Sequence, residues 1–152
     1  MGEKGMFTSV EKGNDGVAVL GLGSFGRAVA LRLTEDGWRV LGVDRDPEVV
    51  GGLAGRLDRV AVADTTELAS LRRLDITLFE QVVVAMSDLE AGVLTASLLA
   101  EMGVADICVR AVTHRRARIL KRVGAHRVLL PQTEMAEWAA ALPSYGARQG
   151  NV

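Results

Sequence analysis

Cysteine is all but missing from this sequence of 152 residues, with Cys108 the single example. No internal disulfide can form, and a reducing compartment fits. Cys108 sits between Ile107 and Val109, so a small core residue is expected rather than a reactive thiol. Long apolar runs are missing too, and none approaches the roughly 18 residues of a membrane span. Histidine occurs twice, at His114 and His126, with no evident carboxylate partner for either. There is no G-x-S-x-G, no P-loop lysine and no Cys/His set at metal-ligand spacing, so no metal site is expected. Tyr145 is followed four positions on by Gln149 rather than lysine, which removes the short-chain reductase pair. Neither sign of charge dominates: 18 basic side chains face 19 acidic ones, for a net charge of -1. That balance gives no general attraction to nucleic acid or to an anionic membrane.

What is present is apolar material for one core. Hydrophobic residues make up 49% of the chain, and a chain of this length buries roughly 70% of its unfolded surface. One domain is therefore expected, with a loose leader over residues 1–16 that has no apolar stretch of the secretory kind.

The organising stretch is Val17-Ala18-Val19-Leu20-Gly21-Leu22-Gly23-Ser24-Phe25-Gly26. An apolar run predicts a buried parallel strand, and the apolar spacing from Ser24 to Glu35 predicts a helix. In that context a G-x-G-x-x-G is informative. Gly21 makes the tight turn, Gly23 lets the backbone approach a pyrophosphate, and Gly26 lets helix and strand pack closely. The helix offers free N–H groups to an anion. With 17 glycines in the chain, three of them alone say little; the spacing to Asp44 is what adds weight. Asp44, 18 positions beyond Gly26, closes a second strand, Trp38 to Val43, and suits the hydroxyls of an adenosine ribose. It would repel a 2′-phosphate, an effect that neighbouring Arg45 weakens. Asp46-Pro47 already supplies the cap of the next helix, which leaves Asp44 freer for a ligand.

Helix two is expected over Pro47–Leu57 and strand three over Arg59–Ala63. Asp64 and Thr65 then lie at a strand end where an adenine edge fits; Thr65 or Thr66 serves equally well as a plain cap for a helix over Glu67–Leu74. Both readings stay open. Strand four, Glu80 to Ala85, leads through Met86-Ser87-Asp88 into a helix over Leu89–Met102. A fifth strand, Asp106 to Val109, ends in Arg110, and Thr113 caps a basic helix read as a solvated face. A sixth strand, His126 to Leu130, stops at Pro131. A last helix, Glu134 to Leu142, turns Met135, Trp138 and Leu142 to one side, and residues 143–152 read as a mobile tail.

Six strands alternating with helices predict an α/β, Rossmann-like, doubly wound six-stranded parallel sheet in the order 3-2-1-4-5-6, with a C-terminal helix facing a dimer partner. A dinucleotide would cross between Gly21–Ser24 and Ala85–Asp88. No residues remain for a substrate domain, and no catalytic set surrounds the loop, so an enzyme is not expected. A site that binds a nucleotide without chemistry to perform on it suits a sensor.

Gly21–Gly26, Val43-Asp44, Ala63-Asp64-Thr65-Thr66, Val82–Ala85 and Val123–Val128 together resemble the RCK-N, or TrkA-N and KtrA-like, nucleotide-binding domain of potassium transport systems. The resemblance covers roughly residues 17–141. It implies a cytoplasmic regulatory subunit, a homodimer or ring of dimers, held under a membrane-embedded potassium channel or transporter subunit and gated by ATP/ADP or NAD(H). By position it implies phosphate contacts from Gly21, Gly23, Ser24, Phe25 and Gly26, and ribose contacts near Asp44 and Arg45. It further implies adenosine contacts from Asp64 and Thr65, crevice contacts from Ala85, Met86 and Ser87, and a phosphate contact from Arg110. Two departures stand out: the pattern often has Arg where Ser24 stands, and Pro-Glu where Pro131-Gln132 stands. The first removes a contact to a terminal phosphate, the second a carboxylate from a divalent-cation site between protomers. The family's usual C-terminal ligand-binding domain is not among these residues. Two further readings are a NAD(H) redox sensor with a different partner and the nucleotide-binding half of a two-chain oxidoreductase.

Overall fold

A parallel strand covered on both faces must be apolar at consecutive positions. Four segments meet that demand: β1 (Val17–Leu20), β2 (Val40–Asp44), β4 (Gln81–Val84) and β5 (Ile107–Arg110), buried except at their polar ends. The partly exposed β3 (Arg59–Val62) and β6 (Arg127–Leu129) form the edges. The computed structural model describes residues 16–150, with side chains described as far as residue 146. The expected leader lies outside the described residues except for Gly16. All six strands pair in parallel, in the order β3-β2-β1-β4-β5-β6. The central β1 has β2 on one side, with Val17 opposite Val40, and β4 on the other, with Val17 opposite Gln81.

Alternation along each strand feeds two cores, one on each face of the sheet. Ala18, Leu20, Leu41, Val43, Val82 and Val84 face one, together with Leu99 and Leu120 from helices α4 (Leu89–Glu101) and α5 (His114–Arg122). Val17, Val19, Val40, Val83 and Cys108 face the other, beneath Ala30 of α1 (Ser24–Glu35) and Leu53 and Leu57. Leu20 and Leu99 are fully buried, and truncating either to Ala would cost about 2–5 kcal/mol.

Caps set the helix starts. Asp46 accepts from the Glu48 amide at the start of α2 (Pro47–Gly51), with Pro47 at the first helical position. Asp88 accepts from the Ala91 amide at 2.9 Å and Thr113 from the Arg116 amide at 3.2 Å, opening α4 and α5. The short α3 (Leu68–Arg73) has no side-chain cap and begins after Glu67. Neither Thr65 nor Thr66 caps it: Thr65 points inward, and the Thr66 hydroxyl and amide donate to Asp64.

Two elements differ in length from expectation. Helix α2 stops at Gly51 because glycines at 51, 52 and 55 favour turns, although Leu53 and Leu57 still reach the core. Helix α6 runs over Pro131–Gly150 and passes through Pro143, so the segment read as a mobile tail is helical as far as Gly150. Pro131 both ends β6 and supplies the first residue of α6, where its missing N–H costs nothing. No helix among the described residues is long and apolar enough to cross a membrane.

Candidate functional site

The turn between β1 and α1 is built around glycine. Gly21 has φ +97°, and a Cβ there would stand 2.9 Å from the Met86 amide nitrogen. A Cβ on Gly26 would fall 1.8 Å from the Gly21 carbonyl oxygen and 3.0 Å from the Ala85 Cβ. Gly26 thus lies behind the loop and locks helix, turn and β4 together. Gly23 is different, because nothing stands within 4 Å of the place its Cβ would occupy. It is the residue before α1, where no side chain caps the first-turn amides.

These amides open onto a cleft of about 690 Å³ across the carboxyl ends of the strands. That volume lies within the usual range of about 300–1,000 Å³ for small-molecule sites. Its position over the strand ends, where the order of connection reverses, is the general ligand position in open α/β sheets. Gly21, Gly23, Ser24, Asp44, Arg45, Asp64, Thr65, Ala85, Met86, Ser87 and Arg110 all line it. Of the residues picked from sequence, Phe25 and Gly26 do not. Gly26 acts from behind, and the Phe25 ring lies under the Arg110 guanidinium, whose carbon is 5.4 Å from the ring centroid.

Asp44 carries more structure than sequence reasoning gave it. Its carboxylate accepts from the Leu22 amide at 2.8 Å and from the Asp46 amide at 2.9 Å. Asp46 does supply the next helix cap, as expected, and Asp44 in addition splints the glycine loop to the end of β2. Each oxygen keeps acceptor capacity toward a hydroxyl. On the next strand end, the Thr66 hydroxyl donates to Asp64 at 2.6 Å and the Thr66 amide at 3.0 Å. These two bonds, with the positive charge of Arg45, hold the Asp64 carboxyl below its ordinary range. The side of the cleft over β2 and β3 thus carries the carboxyl groups of Asp44 and Asp64, and the side over β5 carries Arg110.

Sequence reasoning missed Thr95, a fully buried hydroxyl on α4. It donates to the Thr65 carbonyl at 3.2 Å, lies 3.2 Å from the Thr65 hydroxyl, and sits 3.9 Å from the Met86 sulfur. The hint was a threonine in the middle of a mostly apolar helical run. Gln132, from the first turn of α6, also lines the cleft, as do Thr66 and Asp88. Burial pushes the Cys108 thiol up, in keeping with an inert core residue. Among the described residues no cluster of His, Cys, Asp or Glu could hold a metal ion.

Residues 17–131 match the TrkA-N domain model. The chain belongs to the TrkA-N family. Two relatives from Bacillus subtilis (strain 168) are similar to it. Ktr system potassium uptake protein C is 32% identical over 121 residues, covering 79% of this chain and 55% of that protein. Ktr system potassium uptake protein A is 35% identical over 123 residues, covering 80% and 55%. The chain thus spans about half the length of the curated relatives it matches.

Solved structures share the TrkA-N fold at lower identity. The TrkA-N domain of the inner membrane protein ybaL from Escherichia coli superposes with a TM-score of 0.76 at 18% identity, covering 85% of this chain and 96% of that one. The Kef C-terminal domain of Shewanella denitrificans in its AMP-bound form gives 0.73 at 20%, covering 86% and 81%. The GsuK channel bound to NAD gives 0.69 at 13%, covering 76% and 21%.

Proposed function

We propose that this TrkA-N domain binds an adenine nucleotide without consuming it and regulates a membrane-embedded potassium channel or transporter. The observation that carries the reading is the cleft itself. Its bare helix N-terminus and Gly23 suit a phosphate, while Asp44 and Asp64 suit the hydroxyls of adenosine. The relatives named as potassium uptake proteins support the partner, and the neighbours solved with AMP and NAD support the ligand class. NAD(H) and ATP/ADP remain the candidate ligands. A neutral Ser24 at the phosphate end gives weak discrimination between ATP and ADP. The working form is a homodimer or ring of dimers, cytoplasmic and held at the inner face of the membrane by its partner.

Calorimetry with ATP, ADP, AMP, NAD and NADH, paired with an assay for nucleotide consumption, tests the reading. Saturable binding without turnover is expected. Turnover at enzymatic rates would instead favour half of a two-chain oxidoreductase, and no binding at millimolar ligand would remove the proposal.

A further inference from the structure

The arginine at the end of β5 is held in an unusual way. Its Nε is buried and has no hydrogen-bond partner, and its guanidinium lies over the Phe25 ring at 5.4 Å. Among the described residues, Asp36, Asp58 and Asp106 form ion pairs with Arg32, Arg39 and Arg127, and none of them takes up this guanidinium. The acid that lines the same cleft, Asp88, accepts from the Ala91 amide as a helix cap and forms no ion pair with Arg110. A carboxylate partner would orient an arginine and cancel its charge together. An aromatic face orients the guanidinium plane and leaves the charge available.

Position decides what that charge can read. Across the strand ends, in the order of the sheet, come Asp64 after β3, Asp44 on β2, the glycine loop after β1, Met86 after β4, and Arg110 on β5. A nucleoside at the acidic end sets its first phosphate on the loop amides. Only a phosphate beyond the first extends toward Arg110. Phe25 stands one layer behind, on the first turn of the same helix whose N-terminus takes the first phosphate.

The geometry points to Phe25 as a positioning residue that fixes Arg110 and so sets how strongly the cleft favours a second phosphate. This rests on the nucleotide-binding function proposed above. Phe25 is not among the residues that line the cleft, so its ring acts from behind it. It acts through the plane of the guanidinium, whose forked donors suit phosphate oxygens only when the plane is held.

Calorimetry with ADP and AMP at one salt concentration compares the parent chain with Phe25→Leu and Phe25→Tyr. Leucine keeps apolar bulk and loses the ring face; tyrosine keeps both, and Phe25→Met is a second non-aromatic variant should leucine unfold the chain. Phe25→Leu is expected to weaken ADP about five- to thirtyfold, the scale of one cation–π contact. AMP should stay within about twofold, and tyrosine should restore the ADP preference. The Arg110 Nε–H resonance of the ligand-free, ¹⁵N-labelled protein gives a readout independent of any nucleotide. Ring shielding should be present in the parent and in Phe25→Tyr, and lost in Phe25→Leu. An ADP-to-AMP ratio untouched by leucine, or an unmoved resonance, overturns the role of Phe25 while the nucleotide site stands. A parent that binds neither nucleotide overturns the function proposed above and this specificity with it.

Discussion

The Leu22 amide donates to the Asp44 carboxylate at 2.8 Å, tying the middle of the glycine loop to the end of the neighbouring strand. The same carboxylate accepts from the Asp46 amide, so one side chain organises two turns at once. An acid at this place therefore shapes the loop before any ligand arrives.

Removing it should be felt in the empty protein. Asp44→Ala strips the acceptor from two backbone amides, at about 1.5–3 kcal/mol for a hydrogen bond to a charged group. Urea unfolding without ligand is the measurement, and a lowered midpoint is expected. An unchanged midpoint would mean that the carboxylate serves the ligand alone.

Glycines 23 and 26 should separate cleanly. Gly26→Ala drives a methyl group into the Gly21 carbonyl and should destabilise the fold by about 1–3 kcal/mol or more, with loss of nucleotide binding. Gly23→Ala meets open space at φ -69°, so stability should change by less than about 1 kcal/mol while affinity falls. Thermal melts beside ligand titrations distinguish the two. Equal destabilisation by both would contradict the open approach at Gly23.

Asp64 gives a pH prediction. Its folded pKa lies below the ordinary value, chiefly through the Thr66 hydroxyl. The small stability it contributes is therefore present above the ordinary carboxylate range and is lost as pH falls through the depressed value. Thr66→Val removes the hydroxyl donor and keeps the amide, so the Asp64 titration should move upward. Carboxyl-carbon NMR across pH 2–6 (about the span of carboxylate titration) is the check, and a midpoint that stays put would assign the shift elsewhere.

Helix α6 leaves Met135, Trp138, Leu142 and Tyr145 exposed along its length. Burial against a second copy is expected, with light scattering giving a mass above that of one chain. Trp138→Ala should shift the distribution toward the monomer, since losing a buried tryptophan costs about 3–5 kcal/mol. A parent that runs as a monomer at high concentration would count against the homodimer.

The parts legible in the sequence were those written in consecutive residues. The Val17–Leu20 run, the three glycines and the spacing to Asp44 announce strand, turn and acid because their signals are local. Asp88 and Thr113 sit where caps belong for the same reason. The Thr95–Thr65 contact was not legible, because it joins residues 30 apart through the fold and nothing local to either names the other. Phe25 reads as a phosphate-loop contact at the start of the helix by its place in the motif, yet its ring faces an arginine from another strand. The full length of α6 was hidden by Pro143 and Gly146, which locally argue for a break.

The pairing of Val17 with Gln81 has a consequence for how the chain assembles. Every other neighbouring pair of strands is joined by a single hop through one crossover, whereas β1 and β4 meet only after β2 and β3 have been laid down. That seam closes the largest loop in the sheet, so it carries the greatest loop-closure entropy of the five pairings. The cleft opens directly over the seam, between Gly21 and Met86. It does not exist in either half alone. A molecule bound there acts as a clasp, holding together the two sides of the pairing that spans the longest stretch of chain.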